Sequence, residues 1–340
     1  MRDIDQSGYS VPIFRQFTTG VLKFRGQLRR IGPKAGVAVG IDIGSASVKA
    51  VALDTTRTPA ELLDYAVVNI RHGADRNAPV SIALRAAARR LRRRPATVAA
   101  AIPTAEAIAR RTDAPAHLKD SALAAHVALS LEEQLHQPPD ELHYDFRTRG
   151  PSPEDAGRVG LLLVACRREV VEARLAALRR ARVRCDVMDV EDRAMARTLA
   201  LAGAVSAPAE STSVEAVIDV GHRRIGLHVF DQGEPVHAQN QPMELDSDPA
   251  DVAERALDRY EGSPDARQLD RVWLMGGGAG GDHGNDLMTR LDALPMDLEN
   301  LAGLGVPPHR PTAPLAGQSQ RLAVAIGLAL HAGDPDAHWR

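Results

Sequence analysis

Two stretches of the 340-residue chain place an aspartate two residues ahead of a glycine at the end of an apolar run. The first is Asp42-Ile43-Gly44, closing Val37–Ile43, and the second is Asp219-Val220-Gly221, closing Val214–Val220. Each is followed by another β-rich run, at 47–53 and 225–230, so each reads as a hairpin with the glycine in its turn. Glycine lets backbone approach a phosphate closely, and successive N–H groups in such a turn form an anion-binding nest. Two turns of this kind facing each other would clamp one polyphosphate from both sides. Their carboxylates would hold a hydrated magnesium, an ion that binds through one or two carboxylates and keeps several waters. A third element is the run Met275-Gly276-Gly277-Gly278-Ala279-Gly280-Gly281, between a strand-like stretch and a helix. It has neither the GK[ST] ending of a P-loop nor the Rossmann spacing. Its plainer alternative is a flexible linker.

The elements that must position these groups alternate between strand and helix. Helices are expected at 81–94, 119–137, 168–181, 191–202, 250–260, 286–294 and 321–331. Further strands are expected at 63–70, 97–102, 159–166, 184–189 and 271–275, with an edge strand at 143–148. A small, polar, proline-containing linker is expected at 203–213, and mostly loop at 295–318. The strand, Asp-aliphatic-Gly turn and strand occur twice, which points to a duplicated fold.

Composition bounds what this constellation can serve. Lysine and arginine total 42 against 44 acidic residues, a net charge of −2, so no global field favours nucleic acid or membrane. Aromatic residues make up 3 %, too few for a platform on which single-stranded bases stack. Cys166 and Cys185 cannot build a disulfide framework and lack metal-ligand spacing, so both are expected as reduced thiols. No apolar run approaches the roughly 18–20 residues that span a bilayer. Residues 1–35 stand apart, because Arg2, Arg15, Lys23, Arg25, Arg29, Arg30 and Lys34 interleave with valine, isoleucine, leucine and phenylalanine. Such a segment lies on an anionic membrane surface, or docks as an arm on its own domain or a partner.

Gly40-Ile41-Asp42-Ile43-Gly44-Ser45-Ala46-Ser47-Val48-Lys49 resembles the first phosphate motif of the actin-like ATPase superfamily. Ile218-Asp219-Val220-Gly221 resembles the second phosphate motif, and Leu274-Met275-Gly276-Gly277-Gly278 the adenosine motif. Val190-Glu191-Asp192-Arg193-Ala194-Met195-Ala196 resembles the connecting helix. Within the superfamily the chain looks like the PilM family of type IV pilus assembly and its MshI-like relatives. That likeness rests on Val48-Lys49-Ala50-Val51, Ala99-Ala100-Ala101-Ile102-Pro103, Pro138-Pro139-Asp140-Glu141 with Asp145-Phe146, and Val229-Phe230 with Gly233-Glu234-Pro235-Val236.

The resemblance implies an α/β, two-lobed actin-like (ribonuclease H-like) fold. After the arm 1–35, lobe one would hold 36–203, with a small inserted subdomain at about 104–158, and lobe two 213–340. It implies ATP and magnesium between the lobes. Asp42 and Asp219 would hold the metal through water, with Gly44, Ser45, Ser47, Lys49 and Gly221 on the phosphates. Gly276, Gly277 and Gly278 would meet the adenosine, and Glu191 would orient a metal-bound or attacking water. The alternatives are a surface Lys49 on an edge strand and a Glu191 that only complements a helix dipole. The resemblance further implies a cytoplasmic protein at the inner face of the inner membrane. Its partner would be the N-terminal cytoplasmic tail of a PilN-like bitopic protein, with no nucleic acid and a homodimer left open.

The chain departs from that pattern in two places. His222-Arg223-Arg224 stand where the family has small or hydroxyl residues, so they either obstruct the loop or pair with phosphates. Only residues 242–251 fill the gap that usually holds the subdomain called 2B, which is therefore expected to be missing or minimal. Weak or degenerate ATP binding and no efficient catalysis are the expectation. The rivals are an active actin-like ATPase, a sugar-kinase-type phosphotransferase, for which no catalytic aspartate motif stands out, and a remnant that binds no nucleotide.

Overall fold

The computed structural model describes residues 36–71, 78–91, 94–152, 155–203, 213–244, 246–297, 301, 303–306 and 319–333. The basic arm and nearly all of the expected linker lie outside the described residues.

Strands β1 (Val37–Ile43), β2 (Ser47–Asp54) and β3 (Glu61–Asn69) form an antiparallel meander. β4 (Thr97–Ile102) runs parallel to β1, and β8 (Val187–Val190) parallel to β4, giving the order β3-β2-β1-β4-β8. The second sheet repeats the scheme with β9 (Val214–Val220), β10 (Arg224–Asp231), β11 (Glu234–Pro242), β12 (Arg271–Met275) and β13 (Ala293–Pro295), ordered β11-β10-β9-β12-β13. The duplication visible in two Asp-Gly turns therefore extends to whole five-stranded sheets.

β1 reads as a nearly unbroken apolar run because both its faces are covered. Val39, Ile41 and Ile43 pack with α1 (Ala78–Arg90) and α3 (Arg168–Arg180). On the other face Gly40 lies against α7 (Ala323–Gly333), where an added Cβ would sit 2.0 Å from the Ala325 carbonyl oxygen. α7 is apolar all round because it is enclosed between β1 and α4 (Glu191–Gly203). The core around it joins the two sheets, with Val51 and Leu53 of the first in one cluster with Val217, Phe230 and Trp273 of the second.

The second sheet carries α5 (Pro249–Glu261) and α6 (Gly281–Arg290) on its other face. α5 is capped by Asp248, whose carboxylate accepts the Ala250 N–H at 3.0 Å. Residues 243–248 join β11 to α5, a connection too short for an inserted subdomain. α6 does not span 286–294 as expected. It starts inside the glycine-rich run and stops at Arg290, because the chain must turn at Asp292 (φ 46°) for β13 to pair with β12. Helix propensity misleads at Gly281 and Gly284, since docking of Leu287 in the core outweighs it.

A third sheet, β5-β7-β6, consists of β5 (Ala107–Pro115), β6 (Leu142–Pro151) and β7 (Arg158–Arg167), packed on α2 (Asp120–Leu135). β5 has no clear alternation in sequence and is imposed by its ladder with β7. β7 is the centre of this small sheet and feeds directly into α3. β6 is an edge strand, as its composition suggested. The small sheet is tied to lobe two by Glu234, which receives Arg147 of β6 and Arg193 of α4, the latter at 3.1 Å. Burial pushes the thiols of Cys166 and Cys185 up to about 12, so both are unreactive at neutral pH.

Asp145 on β6 is buried with one carboxylate oxygen lacking a partner, while the other accepts the Phe146 N–H at 2.8 Å. Burial pushes this carboxyl up to about 7 despite that hydrogen bond. A raised folded value contributes stability that is complete below the unfolded value near 3.8 and is lost as pH rises through 7. Asp145→Asn is therefore expected to stabilise the protein by about 2 kcal/mol at pH 8 and by almost nothing at pH 4. Urea unfolding at both pH values checks it, and equal effects at the two would refute the assignment.

Candidate functional site

The two hairpins meet at a cleft of about 910 Å³. All eleven residues singled out from sequence line it: Asp42, Gly44, Ser45, Ser47, Lys49, Glu191, Asp219, Gly221, Gly276, Gly277 and Gly278.

The hairpins are built alike. Gly44 donates its N–H to the Ser47 carbonyl at 3.1 Å, and Gly221 donates to the Arg224 carbonyl at 2.9 Å. Each turn therefore has a two-residue tip, Ser45-Ala46 and His222-Arg223. The glycine N–H groups close the turns.

Their aspartates differ in company. Asp42 and Lys49 are direct cross-strand partners, so both side chains leave the same face. Their carboxylate and ammonium are 2.8 Å apart. β2 lies between β1 and β3, so Lys49 is an interior lysine and not one on an edge strand. Burial pulls its pKa down, but Asp42, with Asp219 and Glu191, outweighs burial and raises it above the usual lysine value. In the second hairpin the partner of Asp219 is Gly226, which offers no cation. Burial raises the Asp219 carboxyl, and Lys49 only partly opposes this.

The three glycines after β12 serve different ends. Gly276 has φ 106°, and a Cβ there would sit 2.4 Å from Asp219 Oδ1 and 2.6 Å from the Val220 carbonyl oxygen. A Cβ on Gly278 would sit 2.7 Å from Val220 Cγ1, and its N–H already donates to the Val220 carbonyl at 2.8 Å. These two let the loop lie against the second hairpin. At Gly277 a Cβ would meet only Arg321 Nε, at 3.9 Å, so its surface faces open space.

Glu191 begins α4 at the cleft floor. Burial, reinforced by Asp42, pushes its carboxyl up to about 7 against the pull of Arg224 and Arg174. Arg224 Nη2 donates to Glu191 Oε2 at 3.0 Å, joining the second hairpin to α4. The His222-Arg223-Arg224 turn therefore does not fill the cleft, because His222 and Arg223 stand exposed at its tip and Arg224 turns onto Glu191. Sequence reasoning missed Arg174 and Arg321. Arg174 reaches the cleft from α3, donating to the Ile43 carbonyl at 2.8 Å. Arg321, just before α7, lines it with a buried Nε that has no hydrogen-bond partner. Neither arginine lies in a motif, and only the helix packing brings them here.

The lining thus sets Lys49, Arg174, Arg223, Arg224 and Arg321 against Asp42, Glu106, Glu191 and Asp219. The cleft's size, open glycine surface and clustered cations suit a nucleoside polyphosphate. Its carboxylates suit magnesium less well, since Asp42 and Glu191 are already paired with cations.

Comparison with known proteins agrees with this architecture. A solved structure titled PilM-PilN type IV pilus biogenesis complex is similar at TM-score 0.67 and 21 % identity, covering 88 % of this chain and 99 % of that one. The ethanolamine utilization protein EutJ from Carboxydothermus hydrogenoformans matches at TM-score 0.46 and 13 % identity, over 88 % of this chain and 91 % of that one. A Bacteroides thetaiotaomicron protein described as having an actin-like ATPase fold matches at 0.43 and 10 %, over 83 % and 95 %. The fold is the two-lobed actin-like one. The family model for type IV pilus assembly protein PilM matches residues 40–244, more than half of the 340 residues. This chain is a member of the PilM family.

Proposed function

We propose that this protein is a docking component of a type IV pilus assembly platform, or of a related secretion platform. It binds the N-terminal cytoplasmic tail of a PilN-like bitopic protein at the inner face of the inner membrane. Its cleft holds ATP as a bound ligand and turns it over slowly or not at all. Membership of the PilM family and the likeness to the PilM-PilN complex support the docking role. Among the described residues no helix is long and apolar enough to cross a membrane. The basic arm 1–35 would add contact with anionic lipid.

One observation carries the reading of the cleft. Its carboxylate best placed to orient a water, Glu191, is held by Arg224 in the second phosphate turn. Gly44, Ser45, Ser47, Lys49 and Gly221 would surround the phosphates, and Gly276, Gly277 and Gly278 the adenosine, with Gly277 the glycine free to touch it. Among the described residues the aspartates lining the cleft are Asp42 and Asp219, each next to last in its hairpin strand, which leaves no further one there to activate a sugar hydroxyl. Slow turnover is thus expected, far below the ~1–10³ s⁻¹ of ordinary enzymes.

Fluorescence anisotropy tests the docking role. The probe is a labelled synthetic peptide carrying the N-terminal tail of the PilN-like protein from the same genome. Saturable binding that a scrambled peptide lacks is expected. No binding to the native tail, with or without ATP, would overturn the role.

A further inference from the structure

The second phosphate turn ends in an arginine where the first ends in a serine. By register Arg224 occupies the place of Ser47, each being the fourth residue of its turn and accepting the glycine N–H. This difference places a permanent cation in the lining of the cleft. Its side chain remains 37 % exposed while one nitrogen engages Glu191, so further donors face the open space. Arg174, which lines the cleft from α3, adds a second guanidinium.

Magnesium, by contrast, draws its attraction from carboxylates whose negative charge is not already balanced by a cation. Lys49 already neutralises Asp42 through Oδ2 at 2.8 Å, and Arg224 neutralises Glu191 through Oε2 at 3.0 Å. Asp219 is the one cleft aspartate without a cation as its cross-strand partner, and its Oδ1 lies against Gly276. Guanidinium groups match phosphate in shape and charge and stay protonated at any physiological pH.

We propose that the cleft binds a nucleoside polyphosphate without a bridging divalent metal, Arg224 supplying the charge that a magnesium ion otherwise carries. The proposal rests on the reading of the cleft as a nucleotide site and adds to it the source of charge neutralisation. It makes Arg224 a specificity-determining residue, selecting the metal-free ligand.

The test is a fluorescence titration of the full chain with N-methylanthraniloyl-ATP, once with excess magnesium and once with EDTA. The same pair of titrations is run on Arg224→Ser, which copies the first turn, and on Arg224→Lys, which keeps the charge. Thermal melts confirm that both variants fold. The wild type is expected to bind with affinities within about threefold of each other in the two buffers. Arg224→Ser is expected to lose about tenfold or more in EDTA and to recover part of that with magnesium, and Arg224→Lys to lose less. Wild-type binding that weakens tenfold or more in EDTA would overturn the proposal while leaving the nucleotide reading intact. Silence in both buffers would overturn both.

Discussion

Gly327→Val is expected to yield no soluble, cooperatively folding protein. Gly327 sits in the middle of α7, where a Cβ would be 1.9 Å from the Ala194 carbonyl oxygen and 2.6 Å from its carbonyl carbon. Both are backbone atoms of α4, so nothing can swing aside. α7 also packs on β1, where a Cβ on Gly40 would sit 2.4 Å from the Ala329 nitrogen. The helix is therefore gripped from two sides and cannot shift. Even Gly327→Ala should cost at least about 3 kcal/mol, the upper end for overpacking. Gly150→Ala is the control. Its φ is 97° and a Cβ there meets nothing within 4 Å, so backbone strain alone, about 1–2 kcal/mol, is expected. Urea unfolding ranks the variants, and a Gly327→Ala protein as stable as Gly150→Ala would show that α7 is not held this way.

Asp189→Ala carries the second large effect. Asp189 ends β8 with 1 % of its surface exposed. Its Oδ2 accepts from Arg197 of α4 at 2.5 Å and faces His331 Nδ1 of α7 at 2.6 Å. One carboxylate thus ties together β8, α4 and α7. Burial lowers the pKa of Arg197, partly offset by Asp189, but a guanidinium does not deprotonate. Removing the carboxylate takes away the nearest counter-ion of a buried cation, which is expected to cost about 3–5 kcal/mol. Asp189→Leu with Arg197→Met removes both charges and should recover part of that loss. A single variant no less stable than the double would refute the role of the ion pair.

The two Asp-Gly turns were legible because their geometry is local. A two-residue tip forces a glycine and an aspartate into set places, and duplication repeats the pattern. Hairpin arithmetic would also have paired Asp42 with Lys49 and Asp219 with Gly226. What could not be read was set by distant packing. β5 owes its existence to β7, and α6 begins within glycines because Leu287 finds the core. Gly40 opens the phosphate motif in sequence, yet its lack of a side chain serves α7, and Gly276 and Gly278 likewise serve Asp219 and Val220. Arg174 and Arg321 reach the cleft from helices that no motif marks. In the sequence His222-Arg223-Arg224 read as one group that either obstructs the loop or pairs with phosphates. The β-turn divides it, leaving His222 and Arg223 exposed at the rim of the cleft and Arg224 on Glu191.

The central claim is that this cleft is where an adenine nucleotide lies, and photolabelling with 8-azido-ATP tests it most directly. The labelled chain would be digested and the adducts located by mass spectrometry, with and without excess ATP as competitor. Adducts on residues 275–284 or on Arg321 that ATP suppresses are the expected result. Labelling that ATP leaves unchanged, or adducts confined to surfaces away from the two hairpins, would contradict it.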